Sequence, residues 1–328
     1  MAEANKENFL IIDSNSIIHR AFHALPPLTN KKGEIVNAVY GFLLMLFRSI
    51  KDFNPKYIAA CFDLPEPTLR KISFPEYKAK RQKAPDELYE QIPKVKEILK
   101  LFNISVFEKA GYEGDDIIGT LAEFITQKHI NEINNIIISG DLDNLQLVNK
   151  NTKVYFLNKG IKGGILYDAK AIKKRYDGLD PEQIITLKSL KGDASDNIPG
   201  VKGIGEKTAF QLIKEYKTLE KIFGEAEKEN SKIKKPIQEK LLENKEMAFL
   251  SFELARIKKD APLKINFNDF AWQGFDKEKA RSNLEEMGFK SLINKLPGEE
   301  PIEHEKKEKI KKIKTENVKS VGENLRLW

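Results

Sequence analysis

Three short apolar segments of the sequence each end in an aspartate. They are FLIID at 9–13, YIAACFD at 57–63 and NNIIISGD at 134–141, and they end at Asp13, Asp63 and Asp141. Segments rich in β-branched and aromatic residues are typical of buried strands in a parallel sheet. Ligands of open α/β sheets collect at the carboxyl ends of the strands. One such aspartate could simply cap a helix, but three at equivalent positions favour a shared acidic site.

Further carboxylates occur in three compact motifs, GYEGDD, SGDLD and GDASDN. Each motif alone would also suit a solvated surface. Carboxylates crowded at one sheet edge raise each other's pKa unless cations neutralise them. Oxygen ligands favour Mg²⁺ or Mn²⁺, and two such ions can activate water and stabilise the leaving oxygen in phosphodiester hydrolysis. The candidate metal ligands are Asp13, Asp63, Glu113, Asp115, Asp116, Asp141, Asp143, Asp193 and Asp196.

A basic motif supplies candidate partners for a phosphate. FPEYKAKR at 74–81 places Lys78 and Arg81 three residues apart, so a helix over this segment would present both on one face. From there they could reach over the sheet edge and stabilise charge on a scissile phosphate. Judged alone, the motif is better explained as an ordinary solvated basic helix.

A glycine-rich basic loop lies at 197–216, NIPGVKGIGEKTAFQLIKEY. Gly200, Gly203 and Gly205 allow tight turns before a helix predicted to begin near Glu206, and a helix amino terminus can seat a phosphate. The loop is not a P-loop, because Glu-Lys-Thr follows Gly205 where that motif requires Lys-Ser/Thr, and because no strand precedes the loop. An ATPase is therefore not expected. A plain helix–helix turn explains the glycines but not the flanking Lys202 and Lys207. The loop therefore predicts a hairpin that binds a nucleic-acid backbone without reading bases.

Composition narrows the class of protein. The 328 residues contain 56 Lys and Arg against 49 Asp and Glu, and the resulting charge of +7 gives weak support to a polyanionic partner. The single cysteine, Cys61, excludes a disulfide framework and a multi-cysteine zinc site, and the four histidines show no metal-ligand spacing. No apolar window is long enough for a membrane span. We expect a soluble, cytoplasmic protein without a membrane partner.

The spacing of apolar residues predicts the elements that would position these groups. Helical patterns at 36–53 and 115–129 alternate with the three predicted strands, which indicates an α/β protein with a mostly parallel central sheet flanked by helices. An insertion at about 64–100, amphipathic from Asp86 to Phe102, interrupts this rhythm over the ligand edge. We predict an α/β core at 1–179, a helical domain at 180–292 and a charged tail or linker at 293–328.

Seven motifs, taken in order, closely resemble the flap endonuclease family, in particular the 5′–3′ exonuclease domain of bacterial DNA polymerase I. They are IIDSNSIIHRAFHAL, AVYGF, FDLPEPTLR, FPEYKAKR, GYEGDD, SGDLDNLQLV and GDASDNIPGVKGIGEKTA, and the resemblance covers about 7–290. It implies a PIN-like core, a helical arch at 64–100 and a helix–three-turn–helix in the C-terminal domain. Leu69, Leu142 and Asn144 depart from the family pattern, but none of them removes a predicted metal ligand.

The resemblance also implies roles for individual residues. Asp13, Asp63, Glu113 and Asp115 match positions around a first metal ion, and the other five acids match positions around a second, some of them through water. Lys78 and Arg81 match arch residues that contact the scissile phosphate, and Arg70 matches a nearby phosphate contact. The implied DNA-binding positions are Arg20, Tyr40, Tyr77, Gly200, Lys202, Gly203, Gly205, Lys207 and Thr208. Some members hold a potassium ion at the helix–three-turn–helix.

The implied activity is metal-dependent cleavage of 5′ flaps, nicked or gapped duplex and RNA primers on DNA, by a monomer. A DNA polymerase is a further implied partner, in cis or in trans, because the chain reads either as a stand-alone nuclease or as the first domain of a longer enzyme. A catalytically inactive junction-binding module is the alternative, although every expected acid is present. A PIN-like ribonuclease shares the sheet but lacks the arch and the glycine-rich hairpin.

Overall fold

The computed structural model describes residues 6–129, 132–158 and 163–298. The predicted tail at 293–328 lies almost wholly outside these ranges. The strands are β1 Glu7–Asp13, β2 Tyr57–Cys61, β3 Ser105–Phe107, β4 Ile133–Ser139, β5 Thr152–Leu157 and β6 Gly164–Tyr167.

Helices α1 to α7 surround this sheet along the chain. They are α1 Ser14–Ala24, α2 Asn37–Phe53, α3 Leu69–Ser73, α4 Asp86–Tyr89, α5 Gln91–Leu101, α6 Gly114–Lys128 and α7 Ala169–Arg175. The later helices are α8 Gln183–Lys191, α9 Glu206–Tyr216, α10 Leu219–Ala226, α11 Lys235–Glu243, α12 Lys245–Ala255, α13 Lys277–Glu286 and α14 Lys290–Ile293. Short 3₁₀ turns lie at Asp143–Leu147 and Phe267–Phe270.

The sheet has the strand order β3-β2-β1-β4-β5-β6. Strands β1 to β5 run parallel and β6 runs antiparallel to β5, which confirms the predicted mostly parallel sheet. From β1 the chain first builds β2 and β3 on one side and then returns to build β4 on the other. The carboxyl ends of β1 and β4 therefore flank a topological switch point, where open α/β sheets bind ligands.

Two apolar layers cover the two faces of the sheet. Successive residues of a strand point to opposite faces, so Leu10 and Ile12 of β1 join the layer formed with α1, α2 and α5. Phe9 and Ile11 join the opposite layer, which α6 dominates. Cys61 is a buried free thiol in that second layer, as its apolar surroundings predict.

The insertion at 64–100 is less arch-like than predicted. Helix α5 packs into the core through buried Val95, Ile98 and Leu99, so only the earlier part lies over the ligand edge. The helix predicted over 74–81 is wrong, since 75–80 forms turns. Two features account for this: Phe74 precedes a proline and takes an extended conformation, and Lys78 has a positive φ of 56°.

The predicted C-terminal helical region divides by packing. Helices α8 to α12 share their own apolar core. After Ala255 the chain returns to the sheet layers, where Ile257 and Phe270 join one layer and Leu284 and Phe289 join the other. The boundary at 180 stays a prediction, and this packing favours ending the helical domain near Ala255. Within the described ranges, no helix combines the length and apolarity needed to cross a membrane.

Candidate active site

A cavity of about 580 Å³ opens at the carboxyl ends of β1, β2 and β4. Five of the nine predicted metal ligands line it, namely Asp13, Asp63, Glu113, Asp115 and Asp141. Basic side chains form the rest of its charged lining, namely His19, Arg20, His23, Lys78 and Arg81. The strand-end aspartates thus face one cavity together with both predicted phosphate-binding residues.

Asp13 is fixed where β1 meets α1. Its side chain caps α1 by accepting the Ser16 N–H at 3.2 Å, and it also accepts the Ser139 hydroxyl from the end of β4. Burial, with repulsion from Asp141 in addition, raises the pKa of Asp13 to about 6. An ionised Asp13 is therefore unfavourable unless a cation lies near it.

Asp115 lies in the first turn of α6 and faces Asp13 and Asp141. Burial and the charges of these two aspartates raise the pKa of Asp115 well above its ordinary value. The amide of Asn144 donates to Asp115 at 2.8 Å and orients its carboxylate. Asn144 was noted in the sequence only as a departure from the family pattern, and its orienting role is visible only in three dimensions.

Asp63 and Glu113 meet at the amino terminus of α6. An Asp63 oxygen accepts the Gly114 N–H at 2.6 Å. Glu113 caps the helix and accepts the Lys78 ammonium at 2.9 Å and the Tyr77 hydroxyl at 3.2 Å. This cap joins the acidic wall of the cavity to its basic wall.

Asp143 and Asp193 both form ion pairs with the same lysine side chain of this protein. The Lys188 ammonium of α8, only 14% exposed, contacts Asp143 and lies 2.6 Å from Asp193. Burial raises the pKa of Asp143 to about 6 despite this ammonium. Burial also acts on Asp193, but hydrogen bonds from Lys188 and Ser195 outweigh it and lower the pKa of Asp193 to about 2. The sequence analysis missed Lys188, for which the only signal was its position five residues before Asp193.

Two predicted site residues form a buried ion pair with each other. Arg70 is 6% exposed, and its guanidinium donates to both oxygens of Asp116 at 2.7 Å. Asp116, 1% exposed, also accepts the N–H groups of Glu113 and Lys258. In this arrangement Arg70 does not reach a phosphate and Asp116 has no oxygen facing the cavity. The structure thus disagrees with the phosphate contact predicted for Arg70 and the metal contact predicted for Asp116.

The basic wall is tied to the loop that precedes the hairpin. Arg81, half exposed, forms an ion pair with the buried Asp196. The N–H of Lys78 donates to the Asp196 carbonyl at 2.9 Å and holds Lys78 in its left-handed conformation. Tyr77 is 3% exposed, with its hydroxyl near Glu113 and Asp196. Tyr77 therefore positions other side chains here and does not offer a surface to DNA, contrary to the prediction.

Arg20 and Tyr40, both implied DNA-binding residues, lie in different settings. The Arg20 guanidinium donates to the carbonyls of Gly140 and Asn158 at 2.9 Å each and lines the cavity. The Tyr40 hydroxyl lies 2.9 Å from that of Ser291, and its ring contacts Phe289 edge-on. These hydrogen bonds thus fix Arg20 at the cavity, whereas the C-terminal segment partly covers Tyr40.

Two histidines of α1 also line the cavity, although the sequence analysis assigned them no role. Burial, with the neighbouring His23 charge, lowers the pKa of His19. Their spacing of four residues puts both on one helix face, which was the available signal.

The glycine-rich loop forms the predicted turn between α8 and α9. Gly205 precedes α9, no side chain caps that helix, and Lys202 and Lys207 are exposed beside the loop, while Thr208 is half-buried. Gly200 is instead buried, with a φ of 67°, and a Cβ there would lie 2.2 Å from the Gly192 nitrogen. Gly200 therefore serves the close approach of two backbone segments, and direct DNA contact is left to the exposed part of the loop.

The donor set fits hard divalent cations. Its oxygens are those that Mg²⁺ and Mn²⁺ prefer, and the raised pKa values of Asp13 and Asp115 show negative charge that lacks compensation. Across the part of the chain that the structure describes, no three acidic, histidine or cysteine side chains already converge on one point as ligands. Binding an ion would therefore require rotation of some carboxylates.

Comparison with known proteins agrees with this geometry. Residues 8–177 match the family described as 5′–3′ exonuclease, N-terminal resolvase-like domain, and residues 179–278 match 5′–3′ exonuclease, C-terminal SAM fold. The chain belongs to the 5′–3′ exonuclease family. The resemblance predicted from the seven motifs is confirmed, and the two matches meet close to the predicted domain boundary.

Two relatives of this exonuclease family differ in length. The chain is 40% identical over 320 residues to DNA polymerase I of Bacillus subtilis (strain 168), covering 98% of this chain and 36% of that protein. It is 38% identical over 286 residues to the 5′–3′ exonuclease of Aquifex aeolicus (strain VF5), covering 87% of this chain and 94% of that protein. The chain thus spans about a third of the length of the DNA polymerase I relatives that it matches.

A solved structure of bacteriophage T5 flap endonuclease, in a pseudo-enzyme–product complex with DNA and metal ions, shares the fold. Its TM-score is 0.63 at 20% sequence identity, and the match covers 76% of this chain and 89% of that one. At this identity the likeness supports the architecture of the exonuclease family, an α/β sheet followed by a helical unit.

Proposed function

We propose that this chain is a divalent-metal-dependent 5′-nuclease that hydrolyses DNA phosphodiesters at 5′ flaps and nicks and at RNA primers on DNA. The observation that carries this proposal is the single cavity where five carboxylates face two phosphate-binding cations, Lys78 and Arg81. Membership of the 5′–3′ exonuclease family supports it.

Two Mg²⁺ or Mn²⁺ ions would be held by this acidic wall. Asp13, Asp63 and Asp115 would hold the first, and Asp141 with Asp143 and Asp193 the second, where the Lys188 ammonium now lies. When bound, such ions activate a water molecule and stabilise the leaving oxygen. Asp116 is left out of this set because Arg70 and two backbone N–H groups occupy its oxygens.

Lys78 and Arg81 would bind the scissile phosphate. Both remain charged at neutral pH, because nearby carboxylates raise their pKa values in spite of burial. An entering phosphate would replace Glu113 as the partner of Lys78 and Asp196 as the partner of Arg81. Both cations would thus keep an anionic partner. Arg20, fixed by two carbonyls, would contact the same strand farther along the cavity.

The hairpin would hold the duplex beside the cavity. Asp193 and Ile198 pair through two backbone hydrogen bonds of 2.9 and 2.8 Å, so the acidic loop and the hairpin are parts of one turn. A phosphate seated at the exposed amino terminus of α9, between Lys202 and Lys207, would thus set the distance from duplex to cavity.

The wider setting belongs to the same proposal. The DNA polymerase I relatives support a polymerase partner, in cis or in trans. The expected cytoplasmic location would suit a bacterial DNA substrate, since both named relatives are bacterial. The expected monomer stays a prediction.

A flap-cleavage assay tests the proposal. The wild-type chain, Asp63→Ala, Asp141→Ala and the control Asp177→Asn would be compared on a labelled 5′-flap duplex in Mg²⁺, in Mn²⁺ and in EDTA. Asp177 is exposed, far along the sequence from the acidic motifs and in a left-handed conformation that Asn also accepts. We expect wild type and control to cut only with the metal, and both alanine variants to lose at least a hundredfold in rate.

The outcomes separate the parts of the proposal. Wild-type protein that binds the flap duplex without ever cutting it would make the chain a junction-binding module. Undiminished cutting by both alanine variants would remove the cavity as the active site. If two ions are needed, the cleavage rate at low Mg²⁺ concentration should rise with the square of that concentration. A rate that rises only in proportion to the Mg²⁺ concentration would contradict the second metal. Preferential cutting of single-stranded RNA would favour the ribonuclease alternative.

A further inference from the structure

Lys240 of α11 lies against the glycine-rich hairpin, 37 residues away from Gly203 in the sequence. Its ammonium donates to the Gly203 carbonyl at 3.2 Å. A Cβ built on Gly203 would lie 3.3, 3.1 and 3.0 Å from the Cδ, Cε and Nζ of Lys240. The end of the lysine side chain therefore lies along the glycine, and the absence of a side chain at 203 creates the space for it.

The place of Lys240 is set by a well-anchored helix. The next residue, Leu241, is fully buried in the core of the helical unit. Gln238 donates to the carbonyls of Ala226 and Lys228 at 2.7 and 3.2 Å, which fixes α11 against the end of α10. Although the Lys240 side chain is exposed, its backbone is thus held beside the hairpin.

Three carbonyls of the hairpin accept hydrogen bonds from within the protein. The Val201 carbonyl accepts the Ile204 N–H and the Gly205 carbonyl accepts the Ala209 N–H, both at 3.0 Å. The Gly203 carbonyl, between them, accepts Lys240. A potassium ion of the kind implied by the family resemblance would need such carbonyls as ligands. An ion that shared the Gly203 oxygen would lie against the like charge of the Lys240 ammonium, so the site does not suit potassium while Lys240 is in place.

We propose that Lys240 supplies the cation of this hairpin and binds a phosphate of duplex DNA, without potassium. An ammonium has three N–H donors, so one can hold the Gly203 carbonyl while the others face solvent and a phosphate. Lys240 would then act with Lys202 and Lys207, which are exposed on the same loop and the following helix. The inference rests on the proposed binding of DNA but adds a residue that no motif contains.

Equilibrium binding in EDTA tests the inference without cleavage. Fluorescence anisotropy of a labelled 5′-flap duplex would be measured in KCl and in tetramethylammonium chloride of equal concentration. The variants are Lys240→Gln and the control Lys235→Gln, which lies on the same helix but about 140° around its axis. Thermal unfolding of each variant would verify that the fold is retained.

We expect the wild type to bind with less than a threefold difference between the two salts. Lys240→Gln should bind about fivefold more weakly than Lys235→Gln, and its log–log salt slope should be lower by about 0.9, the value for one lost phosphate contact.

Two results would overturn the inference while leaving the nuclease proposal intact. One is wild-type binding that weakens more than threefold when potassium is replaced. The other is Lys240→Gln binding that matches the Lys235→Gln control. If instead the wild type does not bind the flap duplex at all, the proposed function fails, and the role of Lys240 fails with it.

Discussion

The buried Arg70–Asp116 pair gives a test that separates a structural role from a DNA-binding role. Arg70 makes two 2.7 Å bonds to Asp116 and donates to the carbonyls of Leu254 and Arg256 at 3.0 and 2.6 Å. It thereby joins the first helix of the insertion to α6 and to the end of α12. Removing one partner of such a buried pair costs about 3–5 kcal/mol, because the other charge is left without compensation.

The perturbation is Arg70→Met, which keeps the length of the side chain and removes its charge. For a chain of this size each kcal/mol shifts the melting temperature by about 1.5 °C, so we expect a fall of roughly 6 °C by calorimetry. The matched control is Arg81→Met, whose side chain is 50% exposed and faces the cavity. Because half of the Arg81 side chain is exposed, that variant should lower the melting temperature less than Arg70→Met does, and it should lose flap cleavage.

A double variant sharpens the test. Arg70→Met combined with Asp116→Leu removes both charges, so part of the lost stability should return relative to either single variant. Recovery would be incomplete, because Asp116 also accepts two backbone N–H groups. An Arg70→Met protein with an unchanged melting temperature but weakened flap binding would refute this reasoning and restore Arg70 as a phosphate contact.

Three other substitutions test the acidic wall and the hairpin. Asp13→Asn should raise the free energy of unfolding in EDTA at pH 8 by up to about 3 kcal/mol, because burial raises the pKa of Asp13 from 3.8 to about 6 and its ionised form opposes folding. Calorimetry should show this gain vanish as the pH falls through 6 towards 4, where the wild-type carboxyl is already protonated; a constant gain would contradict the charge argument. Lys188→Met should lower the melting temperature in EDTA but enlarge its rise with Mg²⁺, since the ammonium no longer neutralises Asp143; an unchanged rise would show that no ion competes with Lys188. Gly200→Ala should cost about 2 kcal/mol or more in urea unfolding, because its Cβ would meet Gly192 at a positive φ, and an unaltered midpoint would contradict that packing.

The strands and the acidic edge could be predicted because their signals are local. An apolar run that ends in an aspartate needs no knowledge of distant residues, and Asp13, Asp63 and Asp141 do face one cavity. The helix predicted over 74–81 was wrong for a local reason too, since Pro75 and the left-handed Lys78 outweigh the spacing of the basic residues. The two predicted basic residues of this segment line the cavity, but the helix that would carry them does not form.

The partners of the acids could not be predicted, because they come from distant parts of the chain. Lys188 reaches Asp143 across 45 positions, and Arg70 reaches Asp116 across 46. In the sequence, a lysine on a predicted helix is expected to be solvated, and an arginine within the insertion is expected to make a surface contact. Only the fold shows that each neutralises a carboxylate, and that this removes Asp116 from the set available to a metal.

The junction between insertion and hairpin explains why these distant residues matter together. Lys78 donates its N–H to the Asp196 carbonyl at 2.9 Å, and the Asn197 amide donates to the Glu76 carbonyl at 2.8 Å. The basic wall of the cavity is therefore attached to the residues that lead directly into the hairpin. The hairpin that would hold the duplex and the cavity that would hold the strand are thus joined to each other. This geometry favours cleavage at a fixed distance from the duplex over cleavage at random positions. In the proposed function the carboxylates would provide the chemistry, and the link between Glu76 and Asn197 would determine where along the DNA it is applied.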